Sequence, residues 1–337
     1  MKNHNLYTLF FGIFIFSFTA SADILRVNSS LNTDVSQKLY KTINEAVSAA
    51  TAGDTLMIEG SSVIYSTATI KKSLVLIGPG YFLTENSQTQ ANGATATMQQ
   101  ITIESSATGT ILEGLTFSKD YNYYAPYVEA DNVIISRCYC PNPIQTVNSI
   151  NNLLVLQNYF VGNAIEVGYS YYTFNNVLLK NNYVGGVVNI PSDNQNSRIF
   201  SSVENNVFAG NIILTATAFR SNIITSSSAT VTITSANIQN NLVAGTQLSG
   251  NGNQTYNSSQ LFINADTAST DGKYKLQANS PYLTAGYNGT QPGIFGGSEP
   301  YVLSGIPPVP SIYEFNADNI ANKQTGLSVE IKAKANQ

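Results

Sequence analysis

The chain has 337 residues, of which 11% are charged and 10% aromatic, with 20 tyrosines, no tryptophan and a formal net charge of −4. A mildly acidic chain lacks the basic surface that phosphate binding requires, so nucleic acid is not an expected partner. The low charge and the abundance of Asn, Ser, Thr, Tyr and Gly are typical of an exported all-β protein.

The first 22 residues have the pattern of a secretory signal peptide. Lys2 gives a basic start, Leu6 to Phe18 is a mostly apolar run, and Ala20-Ser-Ala22 is a small-residue cleavage site. The apolar run is shorter than the roughly 20 residues of a spanning helix, which disfavours an uncleaved anchor. We therefore expect a mature chain that begins at Asp23, has no transmembrane segment, and is secreted, periplasmic or on the cell surface.

Cleavage there would also remove His4, the single histidine. A mature chain without imidazole cannot form a Ser-His-Asp triad, a Cys-His pair or a His-ligated zinc or iron site. Its net charge would be −5, because the loss of Lys2 leaves 15 basic and 20 acidic side chains. No clear cluster of metal ligands is visible in the sequence, so no cofactor is expected, with calcium as the one open alternative.

An amphipathic helix and a strand are the next predicted elements. Thr42-Ile-Asn-Glu45 has the form of a capping box, with Ile43 and Val47 on one helical face. Such a helix would cover the open end of the first coil and protect its strand edge. Gly53-Asp54 then predicts a turn into a strand at residues 55–58.

The two cysteines, Cys138 and Cys140, are two residues apart and are expected on one face of one strand. Their Cα atoms would then lie about 6–7 Å apart, which is long for a relaxed disulfide. Buried, stacked free thiols are the favoured interpretation, with a strained bridge or a reactive pair as alternatives.

A short unit recurs along the middle of the chain. It consists of an apolar residue, a polar residue, Asn-Asn or a substitute, two or three apolar residues and Gly, as in Leu179-Lys-Asn-Asn182-Tyr-Val-Gly-Gly186. The equivalent positions 115, 138, 158, 182, 206, 222 and 241 are separated by 23, 20, 24, 24, 16 and 19 residues. A period near 20 is too short for helix-pair repeats and suits one coil of three short strands. The repeat therefore predicts an all-β fold, a right-handed parallel β-helix.

The Asn-Asn pair has a structural explanation in such a coil. The first Asn can adopt the left-handed backbone conformation of a tight bend, and the second can point inward. Because coils are spaced by about 4.8 Å, equal side chains stack into ladders. The residue two positions beyond should face the same interior: Phe160, Val184, Phe208, Ile224 and Val243. We predict a structural ladder, not catalysis, for Asn158, Asn182, Asn206, Asn222 and Asn241.

The C-terminal region changes character after the repeats. It is turn-rich around residues 250–259 and punctuated by proline from Gly296 onward, and Leu327 to Lys334 alternates as one terminal strand. The predicted organisation is a signal peptide at 1–22, the β-helix at 23–297 and a strand-containing tail at 298–337. The tail could cap the β-helix or supply a strand to a partner.

Three segments carry a family resemblance. Thr42 to Gly80 resembles the N-terminal cap and first coils of pectin-lyase-like β-helix proteins, and Tyr274 to Gly297 is similar to the segment by which the chain leaves the β-helix in secreted bacterial members. Gly296 to Lys334 resembles a C-terminal segment of such proteins from Bacteroidetes-type bacteria. The resemblance implies an exported scaffold that faces carbohydrate. The clustered aspartates of pectate lyases and the Asn-Thr-Asp, Asp-Asp and Gly-His-Gly motifs of polygalacturonases are missing, so no known catalytic set carries over.

Two tyrosine-dense segments, residues 120–127 and 169–172, are predicted as loops on nearby coils. Rings held on rigid turns can stack on sugar faces while their hydroxyls bond to sugar hydroxyls, and the alternative is that they cover coil edges. The candidate glycan-binding residues are Tyr121, Tyr123, Tyr124, Tyr127, Tyr169, Tyr171 and Tyr172.

Glu129, Arg137 and Glu166 are the candidate catalytic residues. Both glutamates lie on apolar–acid–apolar strands about two coils, or 9–10 Å, apart, near the upper limit for an inverting glycosidase pair. Arg137, at a bend between those coils, could bind a uronate or act as a base. The alternative is that these are isolated charges that block edge pairing.

Three functions follow from these features. The favoured one is a non-catalytic secreted scaffold that binds glycan or cell-surface partners. The second is a polysaccharide lyase or glycosidase that acts on an acidic polysaccharide through a non-standard carboxylate/Arg site. The third is a protein-binding adhesion module. The ligand and the oligomeric state are left open.

Overall fold

The computed structural model describes residues 22–119, 126–192, 197–235, 237–321, 323–324 and 326–336. Residues 1–21, which hold nearly all of the predicted signal peptide, lie outside the described residues. Within the described part, 28 strands form three parallel sheets of fourteen, nine and five strands, and two more strands form an antiparallel pair.

The strands begin with β1 (Ile24–Val27), β2 (Leu39–Tyr40), β3 (Thr55–Ile58), β4 (Ala68–Ile70), β5 (Val75–Ile77), β6 (Thr97–Met98), β7 (Ile101–Ile103), β8 (Ile111–Glu113), β9 (Thr116–Phe117) and β10 (Tyr127–Val128). They continue with β11 (Ile134–Ser136), β12 (Tyr139–Cys140), β13 (Ile144–Thr146), β14 (Ile150–Leu156), β15 (Tyr159–Phe160), β16 (Ile165–Val167), β17 (Phe174–Lys180), β18 (Tyr183–Val184), β19 (Val188–Ile190) and β20 (Arg198–Glu204). The last ten are β21 (Val207–Phe208), β22 (Ile212–Ala216), β23 (Ala218–Arg220), β24 (Ile223–Ile224), β25 (Val231–Thr234), β26 (Asn237–Gln239), β27 (Leu242–Val243), β28 (Gln254–Thr255), β29 (Ser311–Ala317) and β30 (Val329–Lys334). The helical segments are α1 (Ile43–Ala49) and the 3-10 turns Val35–Gln37, Ser258–Gln260, Gly272–Tyr274, Tyr287–Gly289 and Leu303–Gly305.

The sheets grow by one strand for each turn of the chain. The nine-stranded sheet runs from β6 through β9, β12, β15, β18, β21, β24 and β27 to β28, and the five-stranded sheet through β4, β7, β10, β13 and β16. The fourteen-stranded sheet runs from β2 through β1, β3, β5, β8, β11, β14 and β17 to β20, where it divides into a branch of β22 with β19 and β25 and a branch of β23 with β26. This stack of parallel strands is a β-solenoid, which confirms the all-β, parallel coil predicted from the repeat.

The Asn-Asn unit forms the bend between the fourteen-stranded and nine-stranded sheets. Its first residue has left-handed backbone, with φ between 52° and 57°, at Gln157, Asn181, Asn205, Ser221 and Asn240. Its second residue is completely buried, and each amide donates to the next one along the stack at 3.0 to 3.1 Å. This ladder joins Asn158, Asn182, Asn206, Asn222 and Asn241. Left-handed backbone at each bend is tolerated by Asn, which is the reason for the repeat.

The interior between the sheets is apolar. The five residues expected two positions beyond the ladder are all 0% exposed. Cys138 and Cys140 are also buried and are free thiols, in agreement with the favoured interpretation. Burial raises the pKa of the Cys138 thiol to about 12, so the thiol stays protonated and unreactive in the folded chain.

The predicted N-terminal helix is present as α1. Thr42 and Glu45 form the expected capping box, in which the Thr42 side chain accepts from the Glu45 N–H and Glu45 accepts from the Thr42 N–H. Its apolar side, with Ile43 and Val47, joins the core cluster of the first coils.

The solenoid ends at β28, and residues 256–310, here called the strap, run back along the outer face of the nine-stranded sheet. Outward residues of that sheet, such as Tyr159 and Ile223, form a second apolar cluster with Leu276 and Ile294 of the strap. The predicted boundary at residue 297 falls inside this segment. Beyond the strap, β29 and β30 form an antiparallel hairpin, so the predicted terminal strand has a partner that the sequence pattern did not reveal.

Candidate functional site

Residues 168–173, between β16 and β17, form a loop that carries three of the candidate tyrosines. The rings of Tyr169 and Tyr171 stack with centroids 5.4 Å apart and planes 11° from parallel, and Tyr172 meets Tyr171 edge-on at 4.7 Å. Tyr169 and Tyr171 are 59% and 61% exposed. The rings therefore form a surface cluster, not core packing. We call this segment the tyrosine loop.

The other candidate tyrosines are distributed differently. Tyr127 lies on β10, where it is in register with Gln145 of β13. Tyr121, Tyr123 and Tyr124 lie outside the described residues.

The tyrosine loop is fixed from below by Arg198, the first residue of β20. Its guanidinium donates to the carbonyl oxygens of Tyr172 (2.9 Å) and Pro191 (3.1 Å) and to that of Ser170. Arg198 is 8% exposed, so these hydrogen bonds form in a region with little water. Sequence reasoning missed Arg198 because it lies 26 residues from Tyr172. Only the pairing of Phe174 with Arg198 across neighbouring coils brings it under the loop.

Two open clefts flank the tyrosine loop. The first has a volume of ≈ 410 Å³ and is lined by Glu129, Asp131, Asn148, Ser149, Tyr171 and Tyr172, among others. The second has a volume of ≈ 450 Å³ and is lined on one side by Glu166 and Asn163, and by Tyr169 of the loop. We call them the Glu129 cleft and the Glu166 cleft. Their hydroxyl, amide and carboxylate groups are hydrogen-bonding partners of the kind that sugar hydroxyls need.

Hydrogen bonds within the clefts orient Glu166 and affect the pKa of Tyr172. Asn163 donates to Glu166 Oε1 at 3.0 Å, which orients that carboxylate. The hydrogen bond with Tyr171 is the largest cause of a raised pKa at Tyr172, and the charges of neighbouring tyrosines and of Glu129 add to it. The Tyr172 phenol therefore keeps its proton at neutral pH.

Glu129 and Glu166 occupy different clefts. Glu166 pairs with Gln145 on the neighbouring coil, and Gln145 pairs with Tyr127 on the coil after that. The residue two coils from Glu166 in the same register is therefore Tyr127, and Glu129 lies two residues further along the chain. This offset places their Cα atoms roughly 12 Å apart, a wider spacing than the two-coil estimate from sequence.

Arg137 lies at neither cleft. It occupies the left-handed bend after β11, at the other end of that strand from Glu129. Its guanidinium donates to Gln157 Oε1 and to the strap carbonyl of Ile306, both at 2.8 Å, and lies 3.6 Å from Glu113. Burial under the strap lowers the pKa of Arg137 and raises that of Glu113. Glu129, Arg137 and Glu166, the catalytic residues predicted from sequence, are therefore not brought together. Arg137 is instead bound to the strap.

A second ladder of polar side chains lies on the surface beside the Glu129 cleft. Asn175 donates to Asn151 at 3.0 Å, and Asn151 donates to Asp131 at 2.9 Å. A parallel row joins Asn176, Asn152 and Asn132. The signal for it is present in the sequence, since these pairs recur at 20 and 24 residues, the same steps that separate Cys138, Asn158 and Asn182 of the inner ladder. The row ends in the Glu129 cleft at Asp131.

Neither metal-binding nor membrane-spanning features were found in the described residues. In this part of the chain no group of three or more His, Cys, Asp or Glu side chains is placed to hold a metal ion. Over the same ranges no helix has the length and apolar character needed to cross a membrane.

Comparison with protein-family models, curated proteins and solved structures gives no match to this chain. The fold by itself defines the class of protein, a parallel β-solenoid whose outer sheet face is covered by its own C-terminal strap.

Proposed function

We propose that this chain is an exported, non-catalytic β-solenoid that binds a neutral glycan at the tyrosine loop. The observation that carries the proposal is the pair of exposed, parallel rings of Tyr169 and Tyr171 on a loop clamped by Arg198. Sugars present C–H faces that pack on aromatic rings and hydroxyls that require hydrogen bonds. The clefts beside the rings supply such groups, including Asn148 and Ser149.

The charges around the loop favour a neutral ligand over an acidic one. Glu129, Asp131 and Glu166 line the two clefts, and Arg198 is the one cation among the described residues that line them. Its guanidinium is already bonded to backbone carbonyls. A uronate would therefore meet like charges at short range without a cation to receive it.

The same positions support a binding role over the lyase or glycosidase role. A β-elimination base at Arg137 would have to act through the strap that covers it. The two glutamates belong to separate clefts on either side of the tyrosine loop and share no common space for one glycosidic bond.

We further infer that the solenoid is a right-handed, pectin-lyase-like coil of a secreted bacterial protein, with residues 1–22 removed on export. Support comes from the residue patterns at Thr42 to Gly80 and Tyr274 to Gly297. The buried apolar side of α1 supports the further inference that this helix closes the N-terminal end of the stack.

The test is native affinity electrophoresis of the mature chain in gels that contain neutral β-glucans, galactomannan or polygalacturonate. We expect a neutral polysaccharide to retard the protein and Tyr171→Ala to weaken retardation about five-fold, since one aromatic contact contributes about 1 kcal/mol. Tyr171→Phe keeps the ring and should retain most of the binding. Val35→Ala, which truncates an exposed apolar side chain (67%) in the 3-10 turn Val35–Gln37, far from the tyrosine loop in the sequence, is the control and should change nothing.

Three results would contradict parts of this proposal. Retardation that is equal in the wild type and Tyr171→Ala would remove the tyrosine loop as the site. New reducing ends or unsaturated uronates would establish catalysis and direct mutagenesis to Glu129→Gln and Glu166→Gln. Capture of a protein partner that no sugar competes would favour the adhesion module.

A further inference from the structure

The buried carboxylate of Asp54 lies beside the backbone nitrogen of Asp23. Asp54 is 3% exposed and lies in the turn between α1 and β3. Its Oδ2 accepts from the Thr51 N–H at 2.7 Å and from the Thr51 hydroxyl at 3.0 Å. Its Oδ1 accepts from the Asp23 nitrogen at 2.8 Å. One oxygen of this carboxylate is therefore bonded to its own turn, and the other to the segment that leads into β1.

Asp54 is held by hydrogen bonds and not by an ion pair with a described side chain. A carboxylate with so little exposure is rarely buried unless a cation pairs with it. The cations on the two neighbouring turns are bonded to other groups: Lys38 to the Asp23 carboxylate, Lys71 to Glu104 and Lys72 to the Ala50 carbonyl. The Asp23 nitrogen is thus the group through which a positive charge could reach Asp54 Oδ1.

The backbone at Asp23 coincides with the predicted cleavage site. Ala20-Ser-Ala22 places the scissile bond between Ala22 and Asp23. Ala22 is exposed, whereas the Asp23 carbonyl oxygen accepts from the Thr55 N–H at 2.8 Å, and β1 begins at the next residue. Both the nitrogen and the carbonyl oxygen of Asp23 are therefore fixed by residues 54 and 55, directly after the bond that export would hydrolyse.

We propose that Asp54 is the receptor for the α-ammonium group that removal of residues 1–22 leaves on Asp23. The inference rests on the proposed export of the chain. Hydrolysis adds one water to the Ala22–Asp23 peptide bond and leaves a carboxylate on Ala22 and an NH3+ group on Asp23. The hydrogen bond to Asp54 Oδ1 then becomes a charge-assisted ion pair. The precursor lacks this pair, so the fold reaches its full stability only after processing.

The ion pair makes the stability of the mature chain depend on pH where the α-amine titrates. An α-amine has an ordinary pKa of about 7.7–8.0, and a carboxylate in contact with it raises that pKa in the folded chain. Burial acts to raise the pKa of Asp54, but hydrogen bonds from Asp23 and Thr51 hold it below its ordinary value, so the carboxylate is ionised throughout this range. The contribution is therefore present below about pH 8 and is lost as the pH rises through the raised pKa of the amine.

Urea denaturation of two forms of the chain tests this ion pair. The first form begins at Asp23, and the second begins at Ser21, so that its residue 23 has a peptide N–H. Both are released from a fusion by a protease that leaves no additional residue. At pH 6.5 the unfolding equilibrium constant of the Asp23 form should be about ten-fold smaller, which corresponds to an amine pKa raised by about one unit. The difference should disappear by about pH 10.

Two substitutions and a titration separate the ion pair from a general effect of charge. In Asp54→Asn the two forms should unfold alike at both pH values. Glu59→Gln removes a carboxylate of the same coil that pairs with Arg26, and it should leave the ten-fold difference unchanged. In an NMR titration of the Asp23 form with a 13C-dimethylated α-amine, the pKa of that amine should be about one unit higher in the wild type than in Asp54→Asn.

Two results would overturn the proposal. Equal unfolding of the Asp23 and Ser21 forms at pH 6.5, together with an ordinary pKa for the α-amine, would show that Asp54 does not act as a receptor. Export and glycan binding would stand after that result, because neither is measured by it. Mass spectrometry of the chain exported by a bacterial host tests the cleavage itself. A mature start at a residue other than Asp23 would overturn the receptor and the proposed cleavage site together.

Discussion

Asparagine has two different roles in this molecule, although its side chain is the same in both. In the inner ladder, Asn182 is completely buried; its amide oxygen accepts from the backbone and side chain of Asn158, and its amide nitrogen donates to Val155, Lys180 and Asn206. In the outer ladder, Asn175 makes its hydrogen bond to Asn151 at the exposed surface. Water can replace the outer bond at little cost, but it cannot reach the inner ones.

We therefore predict that Asn182→Ala lowers the free energy of unfolding by about 3 kcal/mol, because it leaves buried groups of its neighbours without partners and opens a small cavity. Asn175→Ala, the matched control at the exposed surface of the same coil, should cost less than about 1 kcal/mol. Urea denaturation measures both. Equal losses in the two variants would mean that burial does not determine the strength of these ladders.

The residue scale also shows the limits of sequence reasoning. The inner ladder, the left-handed bends and the inward residues such as Phe160 could be predicted, since each depends on neighbours in the sequence and on a regular repeat. The role of Arg198 could not, because its partners are backbone carbonyls, which carry no sequence signal. The sequence suggests Arg137 as a site residue, since nothing near it in the chain indicates burial. The strap residue that covers it, Ile306, lies 169 residues away.

Among the elements, the strap is the one that the sequence pattern did not reveal as a unit. It lacks the alternation and the period of the coils, and it is joined to the first coils through a buried cluster around Asp271. Asp271 is 0% exposed and accepts from Ser304 N–H at 2.6 Å and from Asn86 Nδ2 at 3.1 Å. The hydroxyl groups of Tyr81 and Tyr301, 220 residues apart, are hydrogen-bonded beside it.

The tyrosines buried between the strap and the coils predict a loss of stability in alkali. Burial raises the pKa of Tyr81, Tyr301, Tyr159 and Tyr274 above the ordinary value of 10.0. In the pH range above about 10 the unfolded chain loses these protons while the folded chain keeps them, so the stability present below pH 10 falls as pH rises. Tyrosinate absorbance should show an early set of exposed residues and a late set that titrates only as the protein unfolds.

The same titration in concentrated denaturant is the control, in which all tyrosines should ionise together near pH 10. If the native protein also gave a single transition there, without unfolding, the tyrosines between the strap and the coils would have to be accessible to solvent.

At the scale of the whole molecule, two apolar clusters stabilise the stack of coils, one inside the coils and one on their outer face. The interior is covered by the coils themselves, because each turn buries the residues that face the next one, such as Val184 and Phe208. The outer face of the nine-stranded sheet has its own apolar residues, including Val207 and Leu242, and the strap covers this face together with Tyr81 and Phe82. The period of the repeat predicted the interior cluster. It could not predict that the strap covers the outer face, since the sequence pattern of an outward apolar residue on a short strand is the same whether solvent or another segment faces it.

Because the strap covers apolar residues and the hairpin does not, two truncations should give opposite results. A chain that ends at Thr255 lacks the strap and exposes Tyr159, Val207, Ile223 and Leu242, a loss of several kcal/mol at about 25 cal/mol per Å² of apolar surface. We expect it to aggregate or to lose cooperative unfolding in thermal denaturation and gel filtration. A chain that ends at Pro310 lacks only the hairpin, whose large side chains are half exposed, and should unfold within a few degrees of the full chain. Similar melting of both truncated chains would mean that the coils need no lateral cover. Because the strap reaches from β28 back to Tyr81, the solenoid and its cover then form one cooperative unit, in which loss of the cover at one end weakens coils at the other.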